Sequence, residues 1–242
     1  MKSSRVLFLL VLFSAAAGLS AQMVVSPLSS PVLASGGGGT ASQESPFADR
    51  LNPAASAGKQ RVTLDTAYFG LVGQGTYGNA FNLGLTAPQR WGVVTGGLSY
   101  WGSEAPGLNL GHQGRLTVGL SKDLWEDLYV GANVDTAFGS GGWGIGTGVG
   151  FLHFLGDWGW AKDFRWGGSL LDVGTAYSYQ GVASPPIFTP AIGAEFSPWK
   201  EDKLTVTVRP DLSLPSFQDL NFNLGSTVQF GDFLNLNFAL RF

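Results

Sequence analysis

The last nine residues, Leu234-Asn-Leu-Asn-Phe-Ala-Leu-Arg-Phe242, sort cleanly onto two sides of an extended chain. Leu234, Leu236, Phe238, Leu240 and Phe242 fall on one side and Asn235, Asn237, Ala239 and Arg241 on the other. Period two is the mark of a strand with one apolar and one polar face. The same pattern recurs upstream. Leu220, Phe222, Leu224, Val228 and Phe230 oppose Asn221, Asn223, Thr227 and Gln229, and Leu204, Val206, Val208 and Leu212 oppose Thr205, Thr207, Arg209 and Asp211. Leu116, Val118 and Leu120 oppose Arg115, Thr117 and Ser121. Leu128, Val130 and Val134 oppose Asn133 and Asp135, and Val62, Leu64 and Tyr68 oppose Thr63 and Asp65.

Turn clusters rich in Gly, Pro and Ser separate these runs, among them Gly102-Ser-Glu-Ala-Pro-Gly107 and Ser197-Pro-Trp-Lys-Glu-Asp202. Eleven strand-like runs emerge: 60–69, 79–86, 92–101, 112–121, 126–138, 142–154, 165–178, 187–197, 203–213, 218–230 and 232–242. Many have the length of a bilayer-spanning strand. No helix longer than a turn or two is expected among them.

Composition narrows the class. Charged residues are 13% of the 242, where a soluble domain carries about 25%. Aromatics are also 13%, too many for a disordered chain. With 17 acidic and 14 basic residues, no basic face for nucleic acid is indicated. The absence of Cys excludes disulfides, thiolate metal sites, a cysteine nucleophile and a lipid-anchoring Cys.

The start of the chain reads as a secretory signal. Lys2 and Arg5 precede the apolar run Val6–Phe13, and small residues follow to Ala21, the expected end of a signal over residues 1–21. The run is too short for a spanning anchor. Residues 22–58 lack sustained periodicity and hold Ser29-Ser-Pro31 and Gly36–Gly39. They read as an N-terminal plug or extended linker ahead of the alternating region, 59–242.

Alternation alone fits a soluble sandwich, whose apolar face meets a partner sheet, or a membrane barrel, whose apolar face meets lipid. The polar side decides. It carries Thr, Ser, Asn and Gly rather than abundant Lys and Glu, with isolated charges at Asp65, Arg115, Asp135, Asp172, Glu195, Arg209, Asp211 and Arg241. That suits a confined lumen in which opposite charges pair. Trp91, Trp101, Trp125, Trp143, Trp158, Trp160, Trp166 and Trp199 cluster near the strand ends, as interfacial belts require. The expected fold is therefore all-β, a transmembrane antiparallel β-barrel. Single-chain bacterial barrels are even-numbered, so the expected count is 10 or 12. Phe238, Leu240 and the terminal Phe242 resemble the assembly signal of outer-membrane barrels. The last strand is expected to pair with the first, near Arg61–Phe69.

Three phrases resemble FadL-like outer-membrane proteins, a broad group that includes PorV-like and spirochaetal members. Arg50-Leu-Asn-Pro-Ala-Ala55 is similar to the group's hatch-to-barrel passage, with Asn52, Pro53 and Ala54 matching its Asn-Pro-Ala motif. Asp163-Phe-Arg-Trp-Gly-Gly-Ser-Leu-Leu-Asp-Val-Gly174 is similar to a turn-and-strand phrase ending in Asn-Leu-Gly, with Asp172 and Val173 substituted. Phe196-Ser-Pro-Trp199 leading into Leu204–Val208 is the third. The resemblance implies an outer-membrane barrel taking up hydrophobic molecules such as long-chain fatty acids. FadL itself is a 14-stranded barrel of roughly twice this length, so no ligand residues beyond the Asn-Pro-Ala passage carry over.

Catalysis has little to stand on. His112 and His153 are the only imidazoles, and no motif sets a nucleophile against either. No enzyme activity, cofactor or metal is expected. Gly142, Gly144, Gly146, Gly148 and Gly150 alternate strictly, which reads as a strand with a bare inner face able to accept a plug. Trp143, Ile145, Val149 and Phe151 then face lipid. Expected partners are membrane lipids, the barrel-assembly machinery and a small hydrophobic molecule, in the bacterial outer membrane. The leading function is passage of small hydrophobic solutes. The alternative is a structural or surface-interaction barrel with a filled lumen.

Overall fold

The computed structural model describes residues 39–43, 49–73, 76–105, 108–139, 142–174, 177–179, 182–184, 188–215 and 220–242. The signal at 1–21, and 22–38 and 44–48 of the segment read as a plug, lie outside the described residues.

Eleven strands form one antiparallel sheet: β1 (Thr63–Gly73), β2 (Thr76–Gln89), β3 (Gly92–Ala105), β4 (Leu108–Trp125), β5 (Leu128–Gly139), β6 (Gly142–Trp158), β7 (Ala161–Gly174), β10 (Thr189–Glu201), β11 (Leu204–Ser213), β12 (Asn221–Phe230) and β13 (Leu234–Arg241). A short hairpin, β8 (Tyr177–Tyr179) with β9 (Val182–Ser184), sits in the β7–β10 connection as a separate two-stranded sheet. Each sheet strand pairs with the next along the chain, so the order is a simple meander from β1 to β13. The eleven strands answer to the eleven runs. The expected count was 10 or 12, on the precedent of even-numbered single-chain barrels; the sheet has eleven strands, and among the described residues no register joins β1 to β13.

The meander gives the sheet two unlike ends. At one, adjacent strands are joined by Arg90-Trp91, Glu126-Asp127, Gly159-Trp160, Asp202-Lys203 and Gly231-Asp232-Phe233. This is the turn end. Gly159 has φ +59, the left-handed geometry that a two-residue hairpin favours. The other, the loop end, carries the two longest connections, 175–188 with β8 and β9, and 214–220. An odd number of strands means that β1 begins at the turn end and β13 finishes at the loop end.

The two faces invert the usual rule of burial. Asn82, Thr86, Thr95, Ser99, Thr117, Ser121, Asn133 and Asp135 are all buried. The side chains that alternate with them, including Leu85, Leu116, Val118, Leu120, Val134 and Ile145, are exposed. Register places Tyr68, Phe81, Tyr100, Gly114, Phe138 and Trp143 in one row across β1 to β6. The Phe138 ring lies over Gly114, where a Cβ would collide with it. Toward the turn end runs an aliphatic row, Leu64, Leu85, Gly96, Val118 and Val134. Below that, Trp91, Trp125, Trp158 and Trp160 stand exposed at the turns. The bare face is thus an aliphatic band between two aromatic rims.

Candidate functional site

The polar face is covered by residues 39–43 and 49–58. Pro53–Ser56 makes one 3-10 turn, capped by Asn52, whose side-chain oxygen accepts the Ala54 N–H at 3.0 Å. Pro53 stands at the first position, where a missing N–H costs nothing. Asn52, Pro53 and Ala54 are all buried, Asn52 and Ala54 at 0% exposure. The Asn52 amide also donates to Thr40 O at 2.7 Å and to Phe151 O on β6 at 2.8 Å. Asn52 therefore ties the two described pieces of the segment to each other and to the sheet.

Glycines make the seat. A Cβ on Gly131 would strike the Pro53 carbonyl, one on Gly150 the Asn52 side chain, and one on Gly167 the Phe151 carbonyl, with Asn52 and Leu152 close beside it. The alternating glycines of β6 do face inward, as expected, with Gly146 against Asp135 and Gly148 against Asn133. Around the seat, Ser169 Oγ donates to Leu51 O at 2.7 Å, Arg165 Nε to Ala41 O at 2.9 Å and Asn133 Nδ2 to Asp49 O at 3.4 Å. Arg50 reaches Ser99 Oγ on β3 and Asn82 Oδ1 on β2. At the other extreme, the Asp211 carboxylate on β11 accepts Thr40 N–H at 2.7 Å and Gly39 N–H at 3.1 Å.

Two ion clusters flank this seat. Arg115 pairs with Asp135 at 2.9 Å and with Asp172. Glu195 bridges two cations, Arg209 at 2.9 Å and Arg165, and all three side chains are largely buried. Asp172 has φ +58, a backbone geometry that Asp tolerates better than most residues, and it sits where the β6–β7 register shifts. Arg50, Arg115, Thr117, Asn133, Asp135, Leu171 and Asp172 enclose a recess of about 10 Å³, roughly the room of one water.

The eight charges expected on the polar side all lie on it. Arg115 and Asp135 meet, Glu195 and Arg209 meet, and Asp211 clasps the N-terminal segment. Asp65 helps to stabilise the charge of Lys59, whose pKa burial lowers. Arg241 donates to Asn221 at 3.2 Å near the exposed edge. Sequence reasoning did not single out Arg50 or Arg165. Arg50 lies in an aperiodic stretch where no face could be assigned. Arg165 sits two residues before Gly167 on the same face, a signal that alternation offered. Burial drives Arg50 down to about 10 and holds the Asp49 carboxyl above the usual range, each partly offset by the other's charge.

The histidines are engaged in aromatic contacts. His112 stacks on Tyr100, with 2.6 Å between its Nδ1 and the Tyr100 hydroxyl. His153 accepts the Trp166 indole N–H at 3.2 Å. Phe238 and Leu240 lie on the outer side of β13, and Phe242, just past its end, exchanges backbone hydrogen bonds with Phe222 at the loop end. Among the described residues, no group of three or more His, Asp or Glu side chains could hold a metal ion. No protein-family model matches the chain, and no curated protein matches it significantly.

Proposed function

We propose that the chain is an integral β-barrel of the bacterial outer membrane whose lumen is filled by its own N-terminal segment. One observation carries this reading: on the sheet, large apolar side chains such as Leu116, Val118, Leu120 and Val134 stand exposed on the bare face, whereas Thr117, Ser121, Asn133 and Asp135 between them are buried. Water disfavours that arrangement, whereas lipid outside and a hydrogen-bonded interior inside favour it. The two aromatic rims match the headgroup levels on either side of an aliphatic band.

Curvature supports a ring. The short plug touches β2 through Arg50–Asn82 and β11 through Thr40–Asp211, with contacts on the strands between. Eight consecutive strands laid flat would span roughly 34 Å, whereas the Asn52 amide, 2.7 Å from Thr40 O, holds the two pieces of the segment side by side. The sheet must curl about the segment to reach it from so many sides.

The filled lumen favours a structural or surface-interaction barrel over passage of hydrophobic solutes. A fatty chain entering from either end would meet Arg115, Asp135, Glu195 and Arg209 and would have to displace a plug held by Asn52, Ser169 and Asp211. The resemblance to FadL-like proteins is then one of plan, a plug within a barrel. The test is reconstitution of the full chain into liposomes, scored for swelling in neutral sugars and for fatty-acid uptake. The expected result is inertness to both. Fatty-acid uptake by the wild-type chain would restore the transport reading, and a monodisperse chain without detergent would overturn the membrane placement.

A further inference from the structure

We propose that β1 and β13 pair with each other in parallel, closing the sheet through a single parallel seam. This rests on the membrane reading above and names the partner of each edge strand. The argument starts from direction. Ten antiparallel registers in succession leave β1 and β13, the first and the eleventh strands, running the same way. Any direct pairing between them is parallel.

Both edges carry the marks of strands lacking a neighbour. Leu64 and Tyr68 on β1 are 67% and 71% exposed, whereas their register partners Leu85 and Phe81 are 43% and 37%. On β13 the inward Asn237 is exposed, whereas its register partner Thr227 on β12 is half-buried. A row of bare N–H and C=O groups cannot stay unpaired in hydrocarbon. The two edges also agree in polarity. Leu64 and Tyr68 on one and Leu236 and Phe238 on the other face outward, while Asp65 and Ala67 share the inner side with Asn235, Asn237 and Ala239.

A second copy fits less well. Inserted in the same orientation, it offers only the same two edges running the same way, so it gains no antiparallel bond. It would also double the ring around a plug that already reaches eight strands of one. A parallel pair is slightly weaker per residue than an antiparallel one, which a ring needing one such seam can tolerate.

The chain has no cysteine, so engineered pairs report without background. The full chain would be refolded in detergent micelles and oxidised. Four lumen-side pairs keep the strand order: Asp65→Cys with Asn235→Cys or Asn237→Cys, and Phe69→Cys with Ala239→Cys or Arg241→Cys. Two reverse it: Asp65→Cys with Arg241→Cys, and Phe69→Cys with Asn235→Cys. The expected result is a cross-linked monomer, faster on an unreduced gel, from at least one order-keeping pair at each end and from neither reversed pair. Cross-linking in the reversed pairs, cross-linked dimers, or no cross-link in any folded variant each overturns the seam, the last pointing to a foreign strand in the gap. Folding is scored by the mobility of unheated samples, and Ala67→Cys with Asn237→Cys or Ala239→Cys replaces any pair that fails it. Failure of the seam is separable from failure of the membrane reading. A chain that needs detergent but cross-links only as a dimer loses the seam alone. One that stays monodisperse in plain buffer loses the membrane placement whatever its cross-links.

Discussion

On β4, Leu116, Val118 and Leu120 are 49%, 55% and 43% exposed, while Thr117 and Ser121 between and beside them are at 2% and 1%. Side chains one residue apart thus meet opposite surroundings, and in the opposite sense from a water-soluble sheet. The contrast teaches that the two faces are held by different forces. The inner face is cohesive through charge pairing, hydrogen bonds and glycine clearance around Asn52 and Pro53. Among the described residues, the outer face has little packed against it. Changes to the inner face should therefore act on stability directly, and changes to the exposed face much less.

The largest effect should come from the buried bridge. Glu195→Gln leaves Arg165 and Arg209 without their shared carboxylate, and breaking one side of a buried pair costs about 3–5 kcal/mol. Denaturant unfolding in detergent measures it, and a loss too small to detect would mean that the inner charges are solvated. Asn52→Ala removes the cap and strands the Thr40 and Phe151 carbonyls, at about 2–4 kcal/mol from the cost of unsatisfied buried groups. Its readout is faster protease cleavage within residues 39–58 while the sheet stays folded.

A matched pair of glycine substitutions sharpens the comparison between faces. Gly131→Ala drives a methyl into the Pro53 carbonyl and should cost about 1–3 kcal/mol by overpacking. Gly96→Ala, which meets nothing within 4 Å on the outer face, should stay within about 0.5 kcal/mol. Equal effects would erase the distinction between the faces.

A smaller effect concerns pH. Burial holds the folded-state Asp49 pKa above its ordinary 3.8, so the folded chain binds this proton more tightly than the unfolded one. Stability from this group therefore increases as pH falls from neutral through the raised value, and levels off below 3.8. Asp49→Asn should flatten that slope in unfolding experiments run across acidic pH. The smallest effect is expected at the turn end. The Lys200–Asp163 pair at 2.5 Å is half exposed on both sides, and Lys200→Gln should leave the unfolding midpoint unchanged because water and salt screen such pairs.

Much of the sheet was legible because period two is a local property. Each run could be read without knowing its neighbours, and all eleven found a strand. Boundaries slipped where the chain departs from regular pleat. The run drawn over 165–178 starts late and runs past Gly174, because Asp172, in left-handed geometry, marks the end of β7 and the β8–β9 hairpin lies beyond. The inner charges were legible by parity, but their partners were not. Arg165 meets Glu195 thirty residues on, and Arg115 meets Asp172 fifty-seven residues on. Asn52 was singled out by resemblance. Its seat on Gly131, Gly150 and Gly167 depends on three strands coming together, which no local pattern encodes.

The clasp between Asp211 and Thr40 joins residues 171 apart in the chain. Contacts of such long range form slowly, because the intervening loop must first be ordered. The amides of Gly39 and Thr40 emerge from the ribosome early, yet they meet their acceptor only after β11 has been made and set in place. Locking the N-terminal strap is thus a late event in folding, one that waits on the far end of the sheet.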